Sequence, residues 1–273
     1  MSWYLRVGSI IVVLKLSVPI AGYIIFFILT VACTSTLWAS GNLSDQQVQQ
    51  IHEEGWLLLS QIHRDKSGLE KAIKLYRKAA AGSPTHRDVH WKLAEGLFKK
   101  AEATDNEDDR KILYEEALSQ SRKSLELNPD SIEAHFWIGS TSAKLAEMVG
   151  TFSAIGVINE ATKELKLILE MDPNHRFSII AGAALAAIYS QAPWPMRDLE
   201  DAEAYAIEAV KKDPNLSLAC ATLADVYFRR EKFEQAQKEA ERCLSLSSPS
   251  YIWDAELYNW PSARRVLKQI ENR

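Results

Sequence analysis

The chain begins with a long apolar segment and then changes character. No charged residue occurs from Leu16 to Leu37, and the centre of this segment, Ile24 to Leu29, contains only Ile, Phe and Leu. About 20 consecutive apolar residues are enough for a helix to cross a bilayer. The pattern therefore predicts a transmembrane helix within residues 1–41. Further along, long stretches rich in Ala, Leu, Glu and Lys dominate, which favours an all-α fold.

Charges on either side of the apolar segment predict its orientation. Arg6 and Lys15 precede it, and the next charged residue is Asp45. The positive-inside rule then places the N-terminus in the cytoplasm and the rest of the chain outside it. Three fates fit this segment: a retained signal anchor, a signal peptide cleaved near Gly41, or cleavage before Cys33 with lipidation of that cysteine. All three predict a chain tethered to, or released outside, an inner membrane, with its bulk in the periplasm.

Prolines recur downstream at fairly regular intervals, at Pro84, Pro129, Pro173, Pro214 and Pro249. Such regular recurrence indicates stacked supersecondary units. An alanine precedes each of these prolines in nearly the same phase, at Ala72, Ala117, Ala161, Ala202 and Ala236. A small side chain is needed where two helices cross closely, and proline ends a helix because it lacks an N–H group. Each period is therefore predicted to be a helical hairpin.

The last of these units resembles the tetratricopeptide repeat in its pattern of large, aromatic and small residues, at Leu223, Ala224, Tyr227, Ala236, Ala240 and Cys243. Three other units carry extra residues between their helices, at about 103–111, 147–158 and 191–197. The resemblance implies a right-handed solenoid of about five hairpins over residues 42–248, followed by a capping segment at residues 249–273. Repeat solenoids serve mainly as interaction surfaces, so the expected function is non-catalytic binding.

Short motifs suggest narrower resemblances. The stretches 134–139, 150–155, 192–195 and 254–259 are similar to the T component associated with TRAP transporters. That resemblance implies a lipid-anchored periplasmic protein that assembles with a solute-binding protein. The same inserts also look like those of a eukaryotic family of microtubule-associated repeat proteins. A further alternative is an envelope or cytochrome-complex assembly factor, anchored at its N-terminus, that binds client segments or a membrane-complex subunit.

Charge and motifs narrow the function classes. The net charge is −4, and the segment before Gly41 contributes only Arg6 and Lys15 as charged side chains, so the remainder is more acidic still. An acidic surface without a basic stripe argues against nucleic-acid binding. Motifs for metal, phosphate, dinucleotide or nucleophilic chemistry are lacking, so we expect neither an enzyme nor a cofactor or metal site. Cys220 and Cys243 fall on the two helices of one hairpin, and their spacing leaves their pairing open.

The repeat phase also predicts a binding groove. The face of each first helix that lines the groove in such solenoids carries a set of aromatic, apolar and basic side chains, namely Trp91, Phe98, Phe136, Lys144, Phe177, Ile180, Phe228 and Arg229. As a set they predict an apolar groove that takes an amphipathic helix, a peptide end or an apolar ligand tail. The aromatic C-terminal segment from Tyr251 to Arg273 is predicted to cover the last hairpin.

Overall fold

Ten helices, paired into five hairpins, extend from Asp45 to Leu244 in the computed structural model, which describes residues 43–273. The transmembrane helix and the lipidation of Cys33 predicted for residues 1–41 lie outside the described residues. None of the described helices combines the length and apolar character needed to span a bilayer. The helix bounds are α1 Asp45–Leu59, α2 Ser67–Gly82, α3 Val89–Glu102, α4 Glu107–Leu127, α5 Ile132–Glu147, α6 Thr151–Met171, α7 Arg176–Gln191, α8 Leu199–Lys212, α9 Ser217–Arg229 and α10 Phe233–Leu244.

Local sequence signals set these helix ends. Ser44 accepts a hydrogen bond from the backbone N–H of Gln47, and the Gln47 side chain accepts one from the backbone N–H of Ser44, a reciprocal cap that satisfies two free donors at the start of α1. Asn106 and Ser131 cap α4 and α5 through their side chains. The repeating prolines come shortly after the even-numbered helices end, as predicted.

The phased alanines form the seam between the helices of each hairpin. Ala72, Ala117, Ala161, Ala202 and Ala236 are all completely buried. At the α5–α6 crossing, a Cβ added to Gly139 would come within 2.6 Å of the Leu165 side chain and 3.0 Å of the Ala161 carbonyl oxygen. The two backbones are thus about as close as they can be. The prediction that alanine permits close helix approach is confirmed.

The odd-numbered helices form the inner layer of the solenoid. Each odd-numbered helix packs against the next odd-numbered one, from α1 to α9, as well as against its own hairpin partner. Among the described helices from α2 to α10, no two consecutive even-numbered helices pack together to the same extent. This difference brings the first helices of the hairpins together on one side, which we call the inner face.

The C-terminal segment divides into two parts with different surroundings. A short helix, α11 (Ile252–Asp254), and a π-helical turn (Ala255–Asn259) precede α12 (Trp260–Glu271). Ala263 and Val266 of α12 are completely buried in one cluster with α9 and α10. Trp253 instead belongs to the core of the first hairpins. Helix α12 therefore covers the last hairpin, whereas the residues before it run back along the inner face.

The apolar insert between α5 and α6 is folded differently from the expected loop. Only Met148, Val149 and Gly150 connect the two helices, because α6 already begins at Thr151. Ala154 and Ile158 of α6 pack with Ala146 and Ala192 in a small separate cluster. The extra residues therefore lengthen α6 by about two turns and pack over the solenoid.

Candidate functional site

A cavity of about 1020 Å³ occupies the inner face of the solenoid. Its walls come from all five odd-numbered helices of the hairpins, from the start of α6 and from the C-terminal segment. Ligand sites in proteins commonly have volumes of roughly 300–1,000 Å³, so this cavity lies at the upper end of that range. The hairpin stacking itself creates the cavity, because the inner layer curves around space that its own side chains do not fill.

Aromatic rings form the floor of this cavity. The ring of Phe136 lies 4.8 Å from that of Phe177 and 4.9 Å from that of Trp137, and Phe98 lies 5.3 Å from Trp137, measured between centroids. Tilted and edge-to-face packing at these distances is the favourable arrangement for aromatic pairs. The floor is therefore a rigid apolar surface to which three successive hairpins contribute.

Several charged side chains on the cavity wall are paired with one another. Lys144 lies 3.7 Å from Glu102 and 3.4 Å from Glu147. Arg229 lies 2.7 Å from Asp225, one turn earlier on α9. The basic residues that the sequence placed in the groove are thus present there, but each is neutralised by a carboxylate of the same chain. At these positions the cavity therefore presents ion pairs, and not single charges, to a ligand.

Tyr114 shows how the wall is fixed from behind. Its hydroxyl donates a hydrogen bond to the carboxylate of Glu102. Burial raises the pKa of Tyr114 far above its usual range, and the Glu102 carboxylate raises it further. The phenol therefore remains a neutral donor at any physiological pH, and it holds Glu102 in place beside Lys144.

The C-terminal segment enters the cavity from the opposite side. Trp253 packs edge-to-face on Trp56 of α1 with 5.2 Å between ring centroids. Asp254 accepts a hydrogen bond of 3.0 Å from the ammonium group of Lys99 on α3. Burial alone would lower the pKa of Lys99, but the nearby carboxylates of Asp254 and Glu95 outweigh it, so the pKa is raised and the ammonium form persists.

Most of the residues predicted for the groove line this cavity, namely Phe98, Phe136, Lys144, Phe177, Ile180 and Arg229. Trp91 and Phe228 do not. The indole of Trp91 is buried, and it donates a hydrogen bond to Asp88. Phe228 lies at the C-terminal end of the solenoid, beside Phe233 and under the guanidinium of Arg273. Both residues keep the phase of cavity-lining residues in other hairpins, Phe136 for Trp91 and Phe98 for Phe228, so the packing around each hairpin decides the difference.

Sequence reasoning missed the residues that close the N-terminal half of the cavity. Trp56, Tyr251, Trp253, Asp254 and Tyr258 all line it. The sequence predicts that the aromatic residues among 251–258 cover the last hairpin, whereas the structure places them in the cavity wall. A contact between Asp254 and Lys99, at opposite ends of the solenoid sequence, leaves no periodic signal, so only the folded chain reveals it.

Other candidate chemistry is limited in the part of the chain that the structure describes. Within residues 43–273, no group of three or more His, Cys, Asp or Glu side chains is arranged to hold a metal ion. Cys220 and Cys243 are paired as a disulfide, with their Cα atoms 5.4 Å apart, a separation typical of disulfides. Both cysteines are completely buried, so this pair cross-links α9 and α10 away from solvent.

Two family models match parts of the chain. The model described as Regulator of microtubule dynamics protein 1-3 matches residues 58–182, which is a little less than half of the chain. A tetratricopeptide-repeat model matches residues 218–249, the α9–α10 hairpin. Neither is a model of the T component associated with TRAP transporters, so that resemblance stays a prediction. None of the curated proteins is significantly similar to the chain.

Solved structures resemble the chain over most of its length. One is a thermophilic tetratricopeptide-repeat protein of Thermus thermophilus, with a TM-score of 0.61 and 15% identity over 80% of this chain and 99% of that protein. Another is PilF of Pseudomonas aeruginosa, with a TM-score of 0.54 and 14% identity over 84% of this chain and 92% of that protein. The chain therefore has the tetratricopeptide-repeat solenoid fold, and its residues 218–249 are a tetratricopeptide repeat.

Proposed function

We propose that this chain is a membrane-tethered, non-catalytic scaffold that binds a segment of a partner protein in the cavity of its inner face. The observation that carries the proposal is the cavity itself, with its aromatic floor and the ion pairs in its wall. The apolar floor can contact the apolar side chains of a peptide or an amphipathic helix, and the charged side chains of the wall can bind the polar groups of that segment. The fold agrees with such a role, because helical-repeat proteins are used mainly as interaction surfaces.

The tether is the apolar segment at residues 16–37. The positive charges before it favour a bulk that lies outside the cytoplasm. In that compartment the partner would be a solute-binding protein of a TRAP-type transporter or, in the alternative, a client of an assembly factor. The cavity suits an extended or a helical segment of either partner.

A second candidate function follows from the family match at residues 58–182. The matched region contains α3 to α6, which supply much of the aromatic floor. This match favours a regulator of microtubule dynamics, whose partner lies in the cytoplasm. The two candidates require opposite orientations of the tether, so topology separates them.

The orientation is measured by protease protection of the full chain in intact cells and in sealed vesicles from its own organism. Protection on the non-cytoplasmic side supports an extracytoplasmic scaffold, and cytoplasmic exposure supports the microtubule candidate. Co-sedimentation with microtubules then tests the latter directly. Recovery of the chain in the soluble fraction, without detergent, would contradict the tether in both.

Partner binding is tested by filling the cavity. Ala187 on α7 is half-buried and lines the cavity, so Ala187→Trp should block the partner while the helix stays intact. The matched control is Ala81→Trp on the exposed last turn of α2. Co-purification from gently solubilised membranes should recover one stoichiometric partner with the wild type and the control, and much less with Ala187→Trp.

Many weakly bound clients in place of one partner would favour the assembly-factor alternative. Full retention of the partner by a correctly folded Ala187→Trp protein would contradict binding in the cavity.

A further inference from the structure

Residues 250–259, which we call the strap, lie along the inner face as a bound peptide would. The strap is attached to the body by hydrogen bonds at its two ends. At one end, Ser250 donates from its backbone to Asn215 and from its hydroxyl to Asp213. At the other end, the Asn259 amide donates to the Ser217 hydroxyl at 3.0 Å. Between these two attachments, the strap reaches helices α1 and α3 through side chains.

Two adjacent side chains make the central contacts of the strap. Trp253 is 6% exposed and packs on Trp56, and Tyr251 packs edge-to-face against Trp253 with 5.3 Å between ring centroids. Asp254 pairs with Lys99 at 3.0 Å, and the side chain of Lys99 is only 10% exposed. An ammonium group buried to this degree needs a carboxylate partner, and the strap supplies it from the far end of the chain.

Sealing the end of the solenoid does not explain the strap. That role belongs to α12, whose Ala263 and Val266 are completely buried against the last hairpin. Trp253 instead joins the core of hairpins near the other end of the chain. The fit is also incomplete, because the buried indole N–H of Trp253 lacks a hydrogen-bond partner among the described residues. An unsatisfied buried donor is unfavourable. A ligand whose aromatic side chain leaves no donor unpaired would therefore bind this slot more favourably than Trp253 does.

We propose that the strap is an internal pseudo-ligand, and that the slot formed by Trp56 and Lys99 is the subsite for a partner peptide carrying an aromatic residue followed by an acidic one. The proposal rests on the proposed function, since it names what the cavity recognises. In the resting protein the strap fills this slot, and the partner's aromatic and acidic side chains replace Trp253 and Asp254. The partner therefore gains entry by displacing the strap, and binding is weakened by the fraction of time that the strap stays docked.

The experiment uses a fluorescein-labelled peptide with the strap's own sequence, residues 250–259, added to the full-length protein. The receptor is the double variant Trp253→Ala/Asp254→Asn, in which the internal contacts are weakened and the slot is free. Fluorescence anisotropy should show at least tenfold tighter binding to this variant than to the wild type. A peptide with Ala and Asn in place of its Trp and Asp should not bind either protein.

Lys99→Met added to the double variant should reduce binding of the peptide about tenfold, since the acidic side chain then lacks its partner. Ala81→Trp in the same background is the control and should leave the affinity unchanged. Equal affinity of the wild type and the double variant, or binding indifferent to Lys99, would overturn the proposal. The Ala187→Trp result on the natural partner is a separate measurement, so failure of the strap inference is distinguishable from failure of the scaffold function.

Hydrogen exchange of the wild type gives a second measurement if the double variant does not fold. The amides of residues 252–258 should exchange through a local opening, at least tenfold faster than those in the middle of α5 and α9. Exchange of these amides together with global unfolding would show that the strap is a fixed part of the core and would overturn the proposal.

Discussion

Two faces of the same helices obey different rules. On the seam between the helices of a hairpin, each position of the alanine series is a completely buried alanine, which has no polar side-chain group. On the inner face, the same helices carry rings, ion pairs and open space. The seam repeats because every hairpin meets the same steric demand. The inner face does not repeat, since each hairpin there contributes to one shared site.

The largest effect is expected from overfilling the seam. Ala161→Leu enlarges the side chain at a completely buried crossing of α5 and α6, and it should lower the free energy of unfolding by about 3 kcal/mol. Urea denaturation measures the change. Ala81→Leu, at an exposed position of α2, is the control and should be nearly neutral. An unaltered midpoint for Ala161→Leu would show that the crossing is not tightly packed.

A smaller loss is expected from Gly139→Ala. Alanine is normally better than glycine in a helix by roughly 1 kcal/mol, but here its Cβ would lie 3.0 Å from the Ala161 carbonyl oxygen. We expect a net loss of about 2 kcal/mol. Gly156→Ala, in α6 with open space around the new methyl group, should stabilise by about 0.5–1 kcal/mol. Thermal unfolding of both variants measures this difference. Stabilisation by both would show that Gly139 is not closely packed against α6.

A smaller effect, on partner binding, is expected from removing a ring of the inner face. Phe98 lines the cavity and is half-buried, so Phe98→Ala should weaken partner binding about tenfold, or about 1.4 kcal/mol. Phe228→Ala should leave binding unchanged, because Phe228 lies at the end of the solenoid beside Phe233. Titration of the purified partner measures both. An equal loss of affinity from the two variants would show that Phe228 also belongs to the binding groove, as the repeat phase predicts.

The smallest effect concerns pH. The Nε2 atom of His135 donates to the Pro129 carbonyl at 3.1 Å, and its Nδ1 donates to Glu164 at 2.5 Å. The hydrogen bond to the Glu164 carboxylate raises the pKa of His135, and together with the Pro129 carbonyl and the nearby carboxylates it outweighs the lowering effect of burial. A raised folded pKa gives stability that is fully present below about pH 6.5, the unfolded value, and is lost as the pH rises through the folded pKa.

His135→Gln should therefore cost more stability at pH 6 than at pH 9, measured by urea unfolding at both values. His52 provides the opposite sign, because burial lowers its pKa to about 4. As the pH falls from 6.5 towards 4, the unfolded chain binds a proton at His52 before the folded chain does, so the folded chain becomes less stable. A loss independent of pH for His135→Gln would mean that the imidazole is neutral in the folded chain.

Much of the fold could be predicted, because stacked hairpins require the same residue types at regular intervals along the sequence. Ala161 and Pro173 stand in the same phase as Ala117 and Pro129, and each pair marks one crossing and one helix end. The insert at 147–158 escaped this reasoning. Its apolar residues resemble a loop that covers a surface, but from Thr151 onward they form the first turns of α6, where Ala154 and Ile158 pack with Ala192.

The site was predicted less completely. Phe136 and Phe177, predicted to line a binding groove, both line the cavity, since each lies on the inner face of its first helix. The repeat phase predicts the same place for Phe228, but α9 presents this residue to the C-terminal end of the solenoid, beside Phe233. The role of Trp253 was missed, because an aromatic residue near the end of a solenoid is usually part of a cap.

The sequence by itself determined the helical hairpins, their close crossings and their ends, because these depend on steric and hydrogen-bonding demands within a single repeat unit. The tertiary structure alone decided which rings share the cavity and that Asp254 neutralises Lys99. Such contacts join residues far apart in the chain, and their geometry depends on how each hairpin is rotated against the next. A periodic pattern reports that each unit is buried, but not where the aperiodic residues of several units come together.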